Sequence, residues 1–155
     1  MKFFLDENVN YSCLDPLRVL YREHEFHHTF DEGLSGTDDV PLFETLHNQR
    51  YHAIITKDRA QLSDDVERRA LYDARLHWIG HRAKQHDGLF GIVIETSTVT
   101  AGLIFVLRDW RDDPHVYMLK GIESQATQRL KVAPVERADW NLPPKPRRLR
   151  LANGE

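Results

Sequence analysis

The chain has 155 residues, 41% of them hydrophobic and 29% charged, with a net charge of −3. That is enough for one domain with a real core, too little for two ordinary ones, and the wrong composition for a disordered chain. The charge excludes a global positive field, so a polyanion must be drawn in by a local basic patch or a bound metal.

Cys13 is the only cysteine, which excludes an internal disulfide and suits a reducing cytoplasm. Its simplest role is that of a small buried apolar residue rather than a nucleophile. A secretory leader is not expected, because Asp6 and Glu7 fall where its apolar region would begin.

Phe3-Phe4-Leu5 reads as a short strand buried on both faces, as in the middle of a parallel sheet, and it ends abruptly in Asp6-Glu7-Asn8. Ser12 or Asp15 then caps a helix that uses Leu14, Leu17 and Leu20 and ends near His24. Glu25 to Phe30 alternates as a second strand, and residues 31–36 form a loop by composition. Thr37 or Asp38 caps a second helix, with Val40, Leu42, Phe43 and Leu46 inward and Pro41 in the permissive first turn.

His52 to Thr56 is the next apolar strand, and it too ends in charge, Lys57-Asp58. Asp64-Asp65 opens a third helix, and Leu76, Trp78 and Ile79 predict a fourth strand up to Gly80. This alternation predicts an α/β fold with a mainly parallel sheet and helices on its faces.

Beyond Gly88 a largely buried helix is predicted within about residues 96–110, entered through Ser97 or Thr98 and stopped before Pro114. Leu89 to Leu107 is apolar enough to suggest a membrane span, but Glu95 and the run Thr96-Ser97-Thr98-Val99-Thr100 would be costly in hydrocarbon. His115–Ile122 and Gln128–Val135 read as two further strands, an antiparallel pair on a sheet edge. From Asn141 the chain is basic and Pro-rich. The domain reading is therefore 1–140, with a core over 1–80, an extension over 81–140, and a tail over 141–155.

In an open parallel sheet the carboxyl ends of central strands face the ligand crevice. Asp6 and Asp58 stand at two such ends, and Asp38-Asp39 opens the helix that leads into the second of these strands. Neighbouring strands lie about 5 Å apart, which lets such acids converge. Mutually repelling carboxylates suit Mg²⁺ or Mn²⁺, hard ions that take oxygen ligands. The plain alternative is that these acids are ordinary turn and helix-cap residues.

Met1 to Asn8, then Gly33-Leu34-Ser35-Gly36-Thr37-Asp38-Asp39-Val40-Pro41-Leu42, then Ile54-Ile55-Thr56-Lys57-Asp58 resembles the pattern of small PIN-like domains. The resemblance spans about the first 60–80 residues and puts Asp6, Asp39 and Asp58 on the family's acidic positions, with Asp38 one place off register. It implies a three-layer, Rossmann-like α/β/α sandwich and a Mg²⁺- or Mn²⁺-dependent endoribonuclease. These three aspartates would hold the metal and carry catalysis, and in-line attack of water would leave a 5′-phosphate. Asn8, Thr56 and Lys57 are the substrate-positioning candidates. The implied partners are RNA and, for a VapC-type toxin, an antitoxin protein; a second copy of the chain, as a homodimer, is a further one.

Larger PIN nucleases carry an additional Glu on an intervening helix, for which residues 9–38 offer no clear place, and Arg59-Ala60-Gln61-Leu62 departs from the family's usual acid and Phe. Glu7 is a substitute acid, although strand alternation aims it away from Asp6. The alternative reading is therefore a degenerate PIN-like module that binds protein or RNA without cutting; a third is an interaction protein that binds neither metal nor RNA.

Other signals are weaker. His77 and His81 would suit zinc only on a helix, and a strand sends them in divergent directions. Arg68-Arg69, His81-Arg82 with Lys84, and Arg147-Arg148 with Arg150 are small basic groups that read as solvated surface. Trp78, Trp110 and Trp140 read as core or interface aromatics. No Gly-rich phosphate loop and no Gly-x-Ser-x-Gly elbow is present.

Overall fold

The computed structural model of the protein describes residues 1–82 and 87–125. Its sheet is built from β1 (Lys2–Leu5), β2 (Glu25–His28), β3 (Ala53–Thr56), β4 (His77–Arg82) and β5 (Val116–Lys120). All four pairings are parallel, in the order β2-β1-β3-β4-β5. The helices are α1 (Leu14–Leu20), α2 (Thr29–Glu32), α3 (Asp39–Asn48), α4 (Ala60–Ser63), α5 (Asp65–Asp73) and α6 (Gly88–Arg108). This is the α/β sandwich that the alternation of elements predicts.

Strand alternation splits the core in two. Phe3, Leu5, Ala53, Ile55 and Ile79 face α1 and α6, where Leu14, Leu17, Val99 and Leu103 meet them. Phe4, Ile54 and Trp78 face α3 and α5, against Leu42, Phe43, Leu46 and Leu71. Phe3, Phe4 and Leu5 are fully buried, and each such side chain contributes about 2 kcal/mol from the area it takes out of water. The apolar run of β1 is thus explained by cover on both faces.

Several boundaries differ from the sequence expectation. The second strand stops at His28, because its ring accepts a bond from the Phe30 N–H at 3.3 Å and so caps α2, where a longer strand and a loop were expected. Gly33, at φ 68°, closes α2 in a conformation few other residues adopt. The first helix ends at Leu20 rather than near His24, and the short α4 precedes α5, which Asp64 caps through the N–H groups of Val66 and Glu67.

The long helix begins at Gly88, not at Ser97 or Thr98. Hydroxyls that look like caps in sequence have tertiary partners instead: Thr98 Oγ1 accepts the Ile122 N–H at 3.1 Å, and Thr96 lies 3.6 Å from Cys13 Sγ. Nor is α6 largely buried. By length and composition it is apolar enough to cross a membrane, yet it seats Ile94, Glu95, Val99 and Leu103 in the core while exposing Leu89, Phe90, Val93 and Phe105.

The strand β5 runs parallel to β4 and adds to the same sheet. Its expected antiparallel partner, Gln128–Val135, lies outside the described residues, as do the tail from Asn141, Lys84, the arginines 147, 148 and 150, and Trp140. Trp78 is buried and Trp110 packs on the core. Cys13 is buried, and that burial pushes its thiol up to about 11, which keeps it protonated.

Candidate active site at the β1/β3 rim

In a sheet of this order, the direction in which successive strands are added reverses between β1 and β3, and the crevice opens beyond their carboxyl ends. Asp6 follows β1 and Thr56 ends β3, both on the α3 side by alternation. Asp6 accepts the Glu7 N–H at 2.8 Å, the Asn8 amide at 2.9 Å and the Thr56 hydroxyl at 2.7 Å. Thr56 Oγ1 in turn accepts the Asp58 N–H at 3.0 Å, and Asn8 Oδ1 accepts the Lys57 N–H at 2.8 Å. Asn8 and Thr56 therefore lace the two strand ends together and fix the Asp6 carboxylate.

Asp39 opens α3 immediately after the N-cap Asp38. Its Oδ1 accepts a short bond from Gln61 Nε2, while Gln61 Oε1 accepts the Trp78 indole N–H at 3.1 Å. Gln61 is fully buried, so it transmits the position of Trp78 to Asp39. Trp78 lies flat over Gly80, where any Cβ would collide with its ring. Gln61, in the stretch Arg59-Ala60-Gln61-Leu62, thus tethers Asp39.

Glu7 shares the crevice with Asp6, but one of its carboxylate oxygens is engaged by the loop before α3. Its Oε2 accepts the Gly36 N–H at 2.9 Å and pins the loop that carries Asp38 and Asp39. Gly36 takes φ 71°, a second position where glycine is required.

Asp6, Asp39 and Asp58 line one cavity of about 750 Å³ with Glu7, Asp38 and Glu67. Among the described residues, no Lys, Arg or His lines it. Burial raises the Asp6 carboxyl above its usual range; the Thr56 and Glu7 N–H bonds lower it, and the charges of Glu7 and Asp58 raise it again. Burial likewise raises Asp39 against its bond from Gln61, with the charges of Asp58, Asp6 and Asp38 adding to the rise.

The fit to a hard divalent cation is one of donor chemistry and charge. It is not a closed cage: among the described residues, no three His, Cys, Asp or Glu side chains cluster as an ion site. This also disposes of zinc on His77 and His81 within the described residues. Alternation sets them on the same face of β4 but four residues, about 13 Å, apart. Both are buried; His77 Nδ1 accepts the His115 N–H at 3.1 Å, and neither nitrogen of His81 has a hydrogen-bond partner among the described residues.

Across the sheet, on the α6 side, the rim is built differently. Glu95 Oε1 accepts the Asn10 N–H at 2.8 Å and lies 3.8 Å from His81 Nε2, while Oε2 takes the Lys57 ammonium at 3.0 Å. Desolvation raises the Glu95 carboxyl, but the nearby His81 imidazole and the bonds from Asn10 and Lys57 outweigh it and lower it to about 2. One buried carboxylate therefore ties α6 to the ends of β1, β3 and β4. Sequence reading treated Glu95 only as a bar to membrane insertion; a lone acid inside an apolar helix was the signal available.

The order of the strands and the acidic crevice at the reversal point define a doubly wound α/β domain with a polar cleft at its switch point. A family model described as "PIN like domain" matches residues 1–82, and the chain belongs to that family. No curated protein and no solved structure matches it. The match takes in Asp6, Asp39 and Asp58 but stops short of α6 and Glu95.

Proposed function

We propose that the protein is a Mg²⁺- or Mn²⁺-dependent endoribonuclease of PIN-like type, with Asp6, Asp39 and Asp58 as its metal-holding and catalytic carboxylates. One observation carries the reading: acids from three separate segments line a single crevice to which no Lys, Arg or His among the described residues contributes, and burial plus mutual repulsion raises two of them. Such a site is costly to fold and is stabilised by a dication. When bound, the ion would acidify a water and neutralise charge on the phosphate.

The protein's own groups supply orientation. Thr56 and Asn8 fix Asp6, Gln61 fixes Asp39, and Glu95 holds Lys57 at the rim beside Asp58, where its partly exposed ammonium can meet a substrate phosphate. A toxin role with a cognate antitoxin rests on the resemblance alone; growth arrest on induction, relieved by co-expression of a neighbouring small gene, would support it.

The test is cleavage. Asp6→Asn and Asp58→Asn each lower RNA hydrolysis by at least ~100-fold, the scale of losing a group that stabilises the transition state, without unfolding the domain. Unchanged cleavage in both refutes the assignment. The open carboxylate arrangement and the Gln61 tether on Asp39 favour one second reading, a degenerate module that binds a partner without cutting. Calorimetric titration separates the two: the nuclease binds Mn²⁺ and loses it in Asp39→Ala, and the degenerate module shows no such binding.

A further inference from the structure

Beside the acidic crevice, the rim carries two exposed aromatic rings held on a buried one. His28 is paired in register with Leu5, so the end of β2 lies one strand spacing, about 5 Å, from the end of β1. Thr29, the next residue, lines the crevice together with Asp6. The His28 ring is buried, and its Nε2 bonds the Val9 carbonyl at 2.9 Å. Phe30 packs on it at 4.7 Å and Tyr11 at 5.0 Å between centroids. Yet Phe30 remains 58% exposed and Tyr11 47%.

The Tyr11 ring is held through its hydroxyl, and the Phe30 ring by its packing on His28 and by the backbone beneath it. The Phe30 N–H is held by His28 Nδ1, and the Tyr11 hydroxyl donates to Asp31 at 3.0 Å. Asp31 is in turn 4.0 Å from Arg18, a half-exposed guanidinium that also donates to the Phe26 carbonyl. A positive group therefore stands beside the rings, and Asp31 and Asp15 are the acids near it.

We infer that Tyr11 and Phe30 form a stacking platform for nucleobases of single-stranded RNA whose backbone reaches the neighbouring crevice. Preset aromatic faces accept any base, because every base has a π-face, and little side-chain entropy is lost when the rings are already held. Arg18 offers a cation to a phosphate of the same strand. A duplex keeps its bases stacked inside and gains nothing from such a surface. The inference rests on the ribonuclease reading and deepens it by assigning the surface, Tyr11 and Phe30, that would hold the bases beside the crevice.

The experiment uses the full chain and a short single-stranded RNA carrying 2-aminopurine, whose fluorescence falls when it stacks, with binding followed separately by anisotropy. The wild-type chain quenches the probe, and the duplexed form of the same RNA is neither quenched nor bound as tightly. Phe30→Leu keeps apolar bulk but removes the π-face; it weakens single-strand binding about tenfold and Tyr11→Leu comparably, while Phe30→Trp retains it. The substituted side chains are exposed, so thermal unfolding midpoints stay close to wild type.

Equal binding by the leucine variants, or equal loss on single-stranded and duplex RNA, overturns the platform. So does a loss confined to a protein ligand, which would mark a protein-docking patch. The outcome is separable from catalysis: quenching that persists in a chain that neither binds Mn²⁺ nor cuts RNA leaves the platform standing and removes the nuclease. Cleavage at the wild-type rate by the Tyr11→Leu/Phe30→Leu chain, with no quenching of the probe by wild type, does the reverse.

Discussion

The two faces of the β1/β3 rim handle buried charge in opposite ways. On the α6 side, Glu95 is met by an ammonium, an imidazole and a backbone N–H, and its carboxyl is lowered to about 2. On the α3 side, Asp6 and Asp39 face other carboxylates, and both are raised. The first arrangement is complete within the chain and serves to hold it together. The second is unbalanced among the described residues, the arrangement that the proposed metal site needs and a structural ion pair does not.

The largest expected effect falls on the balanced side. Glu95→Ala removes the carboxylate beneath three strand ends and leaves Lys57 and the Asn10 N–H without their acceptor, at a cost of about 3 kcal/mol in urea unfolding. A loss below a tenth of that would show that the two faces do not differ in kind. The pH dependence sharpens the point. A carboxyl lowered from 4.5 to about 2 contributes stability that is present above about 4.5 and lost as pH falls toward 2. The whole contribution is ~3 kcal/mol, so the gap between wild type and Glu95→Gln narrows across that window.

Next is Gln61, which joins the acidic face to the core. Gln61→Leu leaves the buried Trp78 indole N–H without its acceptor and frees Asp39, costing about 2 kcal/mol in the same assay. Under the nuclease reading it also lowers Mn²⁺ affinity, because Asp39 is no longer held. A variant that loses stability but keeps its Mn²⁺ affinity would make Gln61 a packing residue only.

How much of this was legible in sequence follows from the range of the interactions. The apolar runs of β1 and β3 ending in acid, and the alternation of strand and helix, are local patterns, and they carried the α/β order and the candidate aspartates. The Gln61 tether was not legible, because it depends on Trp78 arriving 17 residues later on a neighbouring strand. Glu95 was hidden for the same reason: its partners Asn10, Lys57 and His81 are scattered over three loops and strands. The start of α6, expected at Ser97 or Thr98, lies earlier because the Thr98 hydroxyl that looks like a cap is taken by the Ile122 N–H. The exposed pair Tyr11 and Phe30 carries no sequence signal apart from the fold that sets it beside the crevice.

The smallest effect is also the one that reverses sign. Asp39→Asn keeps an oxygen for Gln61 but removes one charge from a crowd of acids, so in metal-free buffer the variant should be more stable than wild type by about 1 kcal/mol, as when a strained functional group is relieved. The pH response agrees in direction. A carboxyl raised in the folded state binds more protons there than in the unfolded chain, so wild type gains stability from Asp6 and Asp39 as pH falls from neutrality through their raised range. Mn²⁺ should then invert the ranking, raising the unfolding midpoint of wild type above that of Asp39→Asn, because only the full set of charges repays the ion's dehydration. If Asp39→Asn is instead destabilising without metal, as Glu95→Gln is, then Asp39 is balanced by its surroundings and the crevice is a structural feature like the opposite face.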